Sequence, residues 1–139
     1  MQTRTWLVYI DGSAMPNPGR LGIGGVVYAP DGGVHRFSQR LRRVGCNNEA
    51  EARAGIYALE WLHEMRAAHV LIHTDNSILA DQLGLAVPKR IERLHAVYEK
   101  ARNLARQFSS VRVQWIPRHK NAIADALARA RFTRRSMLH

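Results

Sequence analysis

Two short runs of buried-strand character, each closed by an aspartate, do most to limit what this chain can fold into. Trp6 to Ile10 is apolar throughout and runs into Asp11, and Val70 to Thr74 runs into Asp75. A strand apolar along its whole length is covered on both faces, which calls for a sheet with helices packed against it. The segments around these runs fit that demand. Ile23–Tyr28 and Val34–Gln39 read as two further strands, and Pro30-Asp31-Gly32-Gly33 between them predicts an antiparallel hairpin. Ala50, Ala54, Tyr57, Ala58, Trp61 and Met65 recur at helical spacing and predict a helix from about Asn48 to Arg66.

A short helix ending near Gly84 follows the second run. After Pro88 a longer helix is marked by the stripe Ile91, Leu94, Tyr98, Ala101, Ala105 and Phe108. Val111, Val113 and Trp115 alternate as a strand, Pro117 ends it, and Asn121 to Arg131 reads as a last helix. The expected class is α/β, a mixed sheet flanked by helices, with the later strands joined by helical crossovers. A length of 139 residues suits one domain spanning 1–139. A basic, flexible tail is expected from about residue 132. No apolar run approaches the roughly 20 residues that span a bilayer. No signal peptide is recognised at the start, and Cys46 alone builds no intrachain disulfide framework, so a cytoplasmic protein without membrane contact is expected.

Lys and Arg outnumber Asp and Glu by 21 to 11, giving a formal net charge of +10. Such a chain attracts polyanions, nucleic acid first among them, although a composition bias of the source would look the same. The placing of the few acids separates these readings. Asp11 and Asp75 end strands, Glu51 lies in the first turn of the first long helix, and Asp125 lies early in the last helix. Singly, each has a plain explanation. Asp11-Gly12 makes a turn, Asn48 and Glu51 have capping-box spacing, Asp75 caps the next helix, and Asp125 complements a helix N-terminus. Jointly, strand ends and helix starts meet at one sheet edge, where sites form in open α/β sheets. Clustered carboxylates repel and raise one another's pKa values unless cations neutralise them. An all-oxygen set suits Mg²⁺ or Mn²⁺, and two such ions can drive phosphodiester hydrolysis.

The local sequences are more specific still. Tyr9-Ile10-Asp11-Gly12-Ser13, with Asn17-Pro18-Gly19 and Gly22-Ile23-Gly24, resembles the opening of type 1 ribonucleases H. Asn47-Asn48-Glu49-Ala50-Glu51 resembles their Asn-Asn-x-x-Glu helix start, and Thr74-Asp75-Asn76-Ser77 their Thr-Asp segment. Asn121 to Ala128 resembles their final helix. The blocks occur in the family's order from about Trp6 to Arg131. The resemblance implies a ribonuclease H-like five-stranded sheet whose second strand is antiparallel to the rest. It implies an endonuclease that cuts the RNA strand of RNA–DNA hybrids, leaving 5′-phosphate and 3′-hydroxyl ends. Asp11, Glu51, Asp75 and Asp125 would hold two divalent cations, Mg²⁺ with Mn²⁺ as the alternative. Asn17, Asn47 and Asn48 would meet the RNA strand at its 2′-hydroxyls. A turn role for Asn17 and a cap role for Asn48 are compatible with such contact.

Three departures from the family pattern stand out. Cys46 replaces a Thr that contacts a DNA-strand phosphate in the family, and a thiol is the poorer donor; a small buried residue is its plain reading. Ser77 stands where many relatives have Gln at a minor-groove contact. Gly84 to Ile91 leaves no room for the basic handle of many bacterial members, so grip would fall to residues such as Lys89, Arg90 and Arg93. The competing expectations are a non-catalytic nucleic-acid-binding module and a nuclease acting on double-stranded RNA; a monomer is expected in each case. His119, six positions before Asp125, has two equal readings. It assists proton transfer or product release, or it is one more basic residue touching phosphate.

Overall fold

The computed structural model describes residues 4–130. Its five strands are β1 (Thr5–Met15), β2 (Gly19–Tyr28), β3 (Val34–Gly45), β4 (His69–Thr74) and β5 (Ser110–Trp115). They form one sheet in the order β3-β2-β1-β4-β5. β2 pairs antiparallel with both β1 and β3, whereas β1–β4 and β4–β5 are parallel, so β2 alone runs against the rest. The helices are α1 (Asn47–Glu64), α2 (Ser77–Gly84), α3 (His95–Ala105) and α4 (Ala122–Arg129). No helix among the described residues is long and apolar enough to cross a membrane.

One face of the sheet carries the main core. Alternation sends Val8, Ile10, Val70 and Ile72 to that side, where they meet α1 and α3 through Ala54, Ala58, Leu59, Tyr98 and Ala101. The alanines of α1 favour a helix and let it lie close to the sheet. α1 stops in a Schellman turn: Ala67 N donates to Leu62 O and Arg66 N to His63 O, with Arg66 at φ 60°.

Among the described residues, the other face receives only α4. Gly22 and Gly24 form its seat, because a Cβ on either would collide with the backbone of Leu127 or Ala128. Ser13 Oγ donates to Ala128 O at 3.0 Å and Ser38 Oγ donates to Leu127 O, so two hydroxyls satisfy carbonyls at the helix end.

Several expectations need correction. β1 does not turn at Asp11-Gly12; it continues to Met15, paired with β2 to the end. β2 begins at Gly19 and β3 extends to Gly45, beyond the hydrophobic cores of both strands. The long helix after Pro88 is shorter than its stripe, with a 3-10 turn at Glu92–Leu94 before α3. α4 likewise starts after a 3-10 turn at Arg118–Lys120. Between α2 and that first turn there is no helix or strand that would serve as a handle. The expected tail from about 132 and the last residue of the expected final helix, Arg131, lie outside the described residues.

Candidate active site

The site begins with a close approach. Gly12 faces α1, and a Cβ there would strike the backbone of Ala50 and Glu51. Lacking one, β1 lets the first turn of α1 settle beside Asp11. Gly12 N donates to Asp11 Oδ1 at 3.0 Å. Asp75 arrives from the parallel neighbour β4, whose His73 is level with Tyr9 of β1. One carboxylate oxygen from each of Asp11, Glu51 and Asp75 lies within 4.8 Å of the others. Asp11 and Glu51 are 5% and 3% exposed, so their charges are withdrawn from water.

The surrounding hydrogen bonds fix these acids. Thr74 Oγ1 donates to Glu51 Oε2 at 3.4 Å. Asn121, 2% exposed, donates from Nδ2 to Ile10 O at 2.8 Å and to Asp75 Oδ2 at 3.3 Å. Trp115 Nε1 donates to Asp75 O at 3.1 Å. Asp125 sits one turn into α4, within hydrogen-bonding reach of Asp11, and accepts from Arg129 Nε at 2.7 Å.

The electrostatics divide the four acids. Burial pushes Asp11 from 3.8 to about 6, with the nearby Asp125 and Asp75 adding to it. Burial and the neighbouring Asp11 raise Glu51 well above the carboxylate range. Burial also pushes Asp125 upward, but the hydrogen bond from Arg129 and the charges of Arg129 and Arg118 outweigh it and leave Asp125 lowered. None of Asp11, Glu51 and Asp75 has an ion-pair partner among the described residues. A largely buried, oxygen-only cluster with no ion-pair partner among the described residues is a donor set for hard divalent cations. Asn47, Asn48, Asn76, Arg118 and Arg129 line the same cleft of about 230 Å³.

The structure distributes the remaining sequence candidates unevenly. Asn48 lies in the cleft, where its Oδ1 accepts from Asn76 Nδ2 at 2.9 Å; it is not the cap of α1. That position belongs to Cys46, half-buried against the core, whose side chain makes no cap bond. Asn47 Oδ1 accepts from Ala14 N at 2.7 Å, and Asn17 Oδ1, in the exposed β1–β2 turn, accepts from Asn47 N at 3.2 Å. Asp75 does not cap α2; Asn76 does, accepting from Leu79 N at 2.8 Å. Ser77 is exposed at the start of α2 and does not line the cleft. Neither does His119, which lines a separate groove on the α4 face of the sheet.

Sequence reasoning passed over Asn121, Asn76, Arg118 and Arg129. Arg129 carried a signal, since Asp125 and Arg129 are spaced i,i+4. Asn121 read only as the start of a helix, and nothing local announced that it is buried.

A family model described as reverse transcriptase-like matches residues 9–131. The chain belongs to that family. Within it, the chain is 30% identical over 123 residues to the bifunctional protein Rv2228c of Mycobacterium tuberculosis, which covers 88% of this chain. The chain spans only 34% of that relative's length. The reverse transcriptase-like domain superposes on RNase H1 of Halobacterium salinarum with a TM-score of 0.81 at 30% identity, covering 89% of this chain and 94% of that one. It superposes on LC11-RNase H1, solved in complex with an RNA/DNA hybrid, with a TM-score of 0.77 at 29% identity, covering 88% and 92%. The fold is therefore that of ribonuclease H, with β2 as the antiparallel strand.

Proposed function

We propose that this chain is an endonuclease that hydrolyses the RNA strand of RNA–DNA hybrids, using two divalent cations held by Asp11, Glu51, Asp75 and Asp125. The observation that carries this reading is the trio of buried Asp11 and Glu51 with half-buried Asp75, whose ligand oxygens lie within 4.8 Å and which have no ion-pair partner among the described residues. It sits in a fold shared with a ribonuclease H solved on an RNA/DNA hybrid.

When bound, Mg²⁺ or Mn²⁺ ions supply activation of the attacking water and stabilise the departing oxygen. The chain's own residues do the rest. Asp11 and Glu51, buried and crowded, give up their protons when cations arrive. Asp125, lowered by Arg129, is ionised before that. Asn47 and Asn48 offer amides at the mouth of the cleft, suited to the 2′-hydroxyl that distinguishes RNA from DNA, with Asn17 behind them. Arg118 and Arg129 offer charge to the phosphates beside the cut. The bond broken is that between phosphorus and the 3′-oxygen, which leaves a 5′-phosphate and a 3′-hydroxyl.

The test is incubation of labelled hybrid, double-stranded RNA, single-stranded RNA and double-stranded DNA with Mg²⁺ or Mn²⁺. Cleavage of the RNA strand in the hybrid is expected, and Asp11→Asn and Asp75→Asn should abolish it while the fold is kept. Cleavage confined to double-stranded RNA would move the substrate class. Mutants that cut at near wild-type rates would sink the metal assignment.

A further inference from the structure

Among the described residues, α4 alone packs on its face of the sheet and leaves about half of it uncovered. α4 sits over Gly22, Gly24, Ser13 and Ser38, and the strands continue past it. Register and alternation put Leu7 and Tyr9 of β1, Val26 and Tyr28 of β2, and Leu71 and His73 of β4 on this half; Val26 and His73 are buried beneath their neighbours, while Leu7, Tyr9, Tyr28 and Leu71 keep accessible surface. These are an apolar and aromatic set on the side of the sheet opposite the main core. Tyr9 lies flat on His73, with ring centroids 4.2 Å apart and planes 8° from parallel, and Tyr28 meets Tyr9 edge-on at 6.0 Å. A groove of about 470 Å³ runs along this surface to the start of α4, where Ile123 is 47% exposed.

The charge of the face is one-sided. Exposed Arg36 of β3 and Arg112 of β5 stand on the same side as the aromatic set, and His119 and Lys120 close the groove at the α4 end. No Asp or Glu occupies this half of the face in any of the five strands. Aromatic rings on an open sheet, bordered by cations except where the acidic cleft adjoins them, match the stacked bases and phosphates of a single nucleic-acid strand. Outside the adjoining acidic cleft, a protein partner of mixed charge finds no strand carboxylate for its own cations, and a duplex offers no free base face. The groove also adjoins the acidic cleft. Tyr9 is two residues before Asp11 on the same face, so the two sites lie about 7 Å apart along β1.

We infer that the uncovered sheet half, centred on Tyr9 and Tyr28, is a platform for a single-stranded extension of the nucleic acid whose duplex part occupies the acidic cleft. The inference rests on the proposed function only for the duplex. The extension's bases stack on the tyrosines, and its phosphates meet Lys120, His119 and Arg36. Since stacking reads no sugar, DNA and RNA extensions bind alike.

The test is fluorescence anisotropy without divalent cations, so that nothing is cut. It compares blunt RNA–DNA hybrid, the same hybrid with a single-stranded DNA extension of about ten nucleotides at either end, and the free DNA single strand. The extended hybrid is expected to bind about tenfold more tightly than the blunt one. Tyr28→Ala and Lys120→Glu should each remove most of that gain and leave blunt-hybrid affinity within about twofold. Tyr28→Phe should retain the gain, and thermal melts show that each variant folds. Equal affinity for blunt and extended hybrid, or a gain that survives both substitutions, overturns the platform. If blunt hybrid fails to bind while the free strand binds with Tyr28 dependence, the hybrid reading fails and the platform stands.

Discussion

Asn121 holds Asp75 by its side-chain amide: Nδ2 lies 3.3 Å from Asp75 Oδ2 and 2.8 Å from the carbonyl oxygen of Ile10, the residue before Asp11. Its own backbone oxygen accepts from Asp125 N at 3.0 Å. One buried residue therefore touches Asp75, the backbone beside Asp11 and the helical turn that carries Asp125. Residues that orient metal ligands typically change metal affinity by 10–100-fold when removed. Asn121→Ala is expected to weaken Mg²⁺ or Mn²⁺ binding by about tenfold and, by leaving the Ile10 carbonyl unpaired, to cost about 1–3 kcal/mol of stability. Calorimetric titration with the metal separates the two effects. A lower melting temperature with unchanged metal affinity would make Asn121 a structural residue only.

The crowded acids predict an unusual pH dependence for the metal-free protein. Asp11 is raised by burial from 3.8 to about 6, and Glu51 is raised further by burial and by Asp11. The unfolded chain ionises these groups first, while the folded chain holds their protons. Stability is thus greatest at low pH with respect to these two groups. It falls as pH rises from about 4 through about 6 and continues to fall until Glu51 ionises. Asp11→Asn removes one of the raised groups and keeps its shape. The substitution should raise the melting temperature of the metal-free protein near neutral pH and change it little near pH 4. Metal ions should stabilise the wild type by mass action and the variant much less. A variant that melts below the wild type at neutral pH would show that the Asp11 charge does not cost stability.

The parts of this architecture that a sequence announces are those built on periodicity. The buried run Trp6–Ile10, the hairpin turn at Pro30–Gly33 and the alanine face of α1 all carry a period or a turn residue. Their elements lie where the pattern puts them. The ends of β1 and β2 were harder to read because glycine marks turns as often as close approaches. Gly12 stands inside a strand so that α1 can touch β1, and Gly22 and Gly24 stand inside another to seat α4. Each absence of a side chain is explained by a partner far away in the sequence. The same holds for the site. Asp11 and Asp75 are legible as strand-end acids, but the bonds from Asn121 span 111 and 46 positions, and no local pattern encodes them.

Net charge should be visible in substrate binding. A formal charge of +10 on 139 residues, with Arg118 and Arg129 in the cleft, predicts affinity that falls steeply with salt and depends little on base sequence. The log–log slope should be roughly −0.7 to −0.9 per neutralised phosphate. A nearly flat slope in a salt titration of hybrid binding would mean that these cations do not meet phosphate.

The final prediction concerns His119, for which the sequence left two equal readings. The structure brings it to the groove beside Lys120 and Ile123 and not into the cleft with the carboxylates. Asn121, two residues further along, is the residue of this segment whose side chain reaches Asp75, donating to its Oδ2 at 3.3 Å. An imidazole that serves the departing 3′-oxygen has to come within hydrogen-bond reach of it, directly or through one water. From the groove, His119 is better placed to touch a phosphate of a passing strand. His119→Ala is therefore expected to raise KM several-fold for an extended hybrid, with a much smaller change in kcat. Acid–base assistance predicts the opposite split, a fall in kcat of about 10²-fold with affinity little changed. Steady-state kinetics on blunt and extended hybrids decide between them. A large loss of kcat on both substrates would return His119 to the proton-transfer role and imply that its loop moves when the hybrid binds.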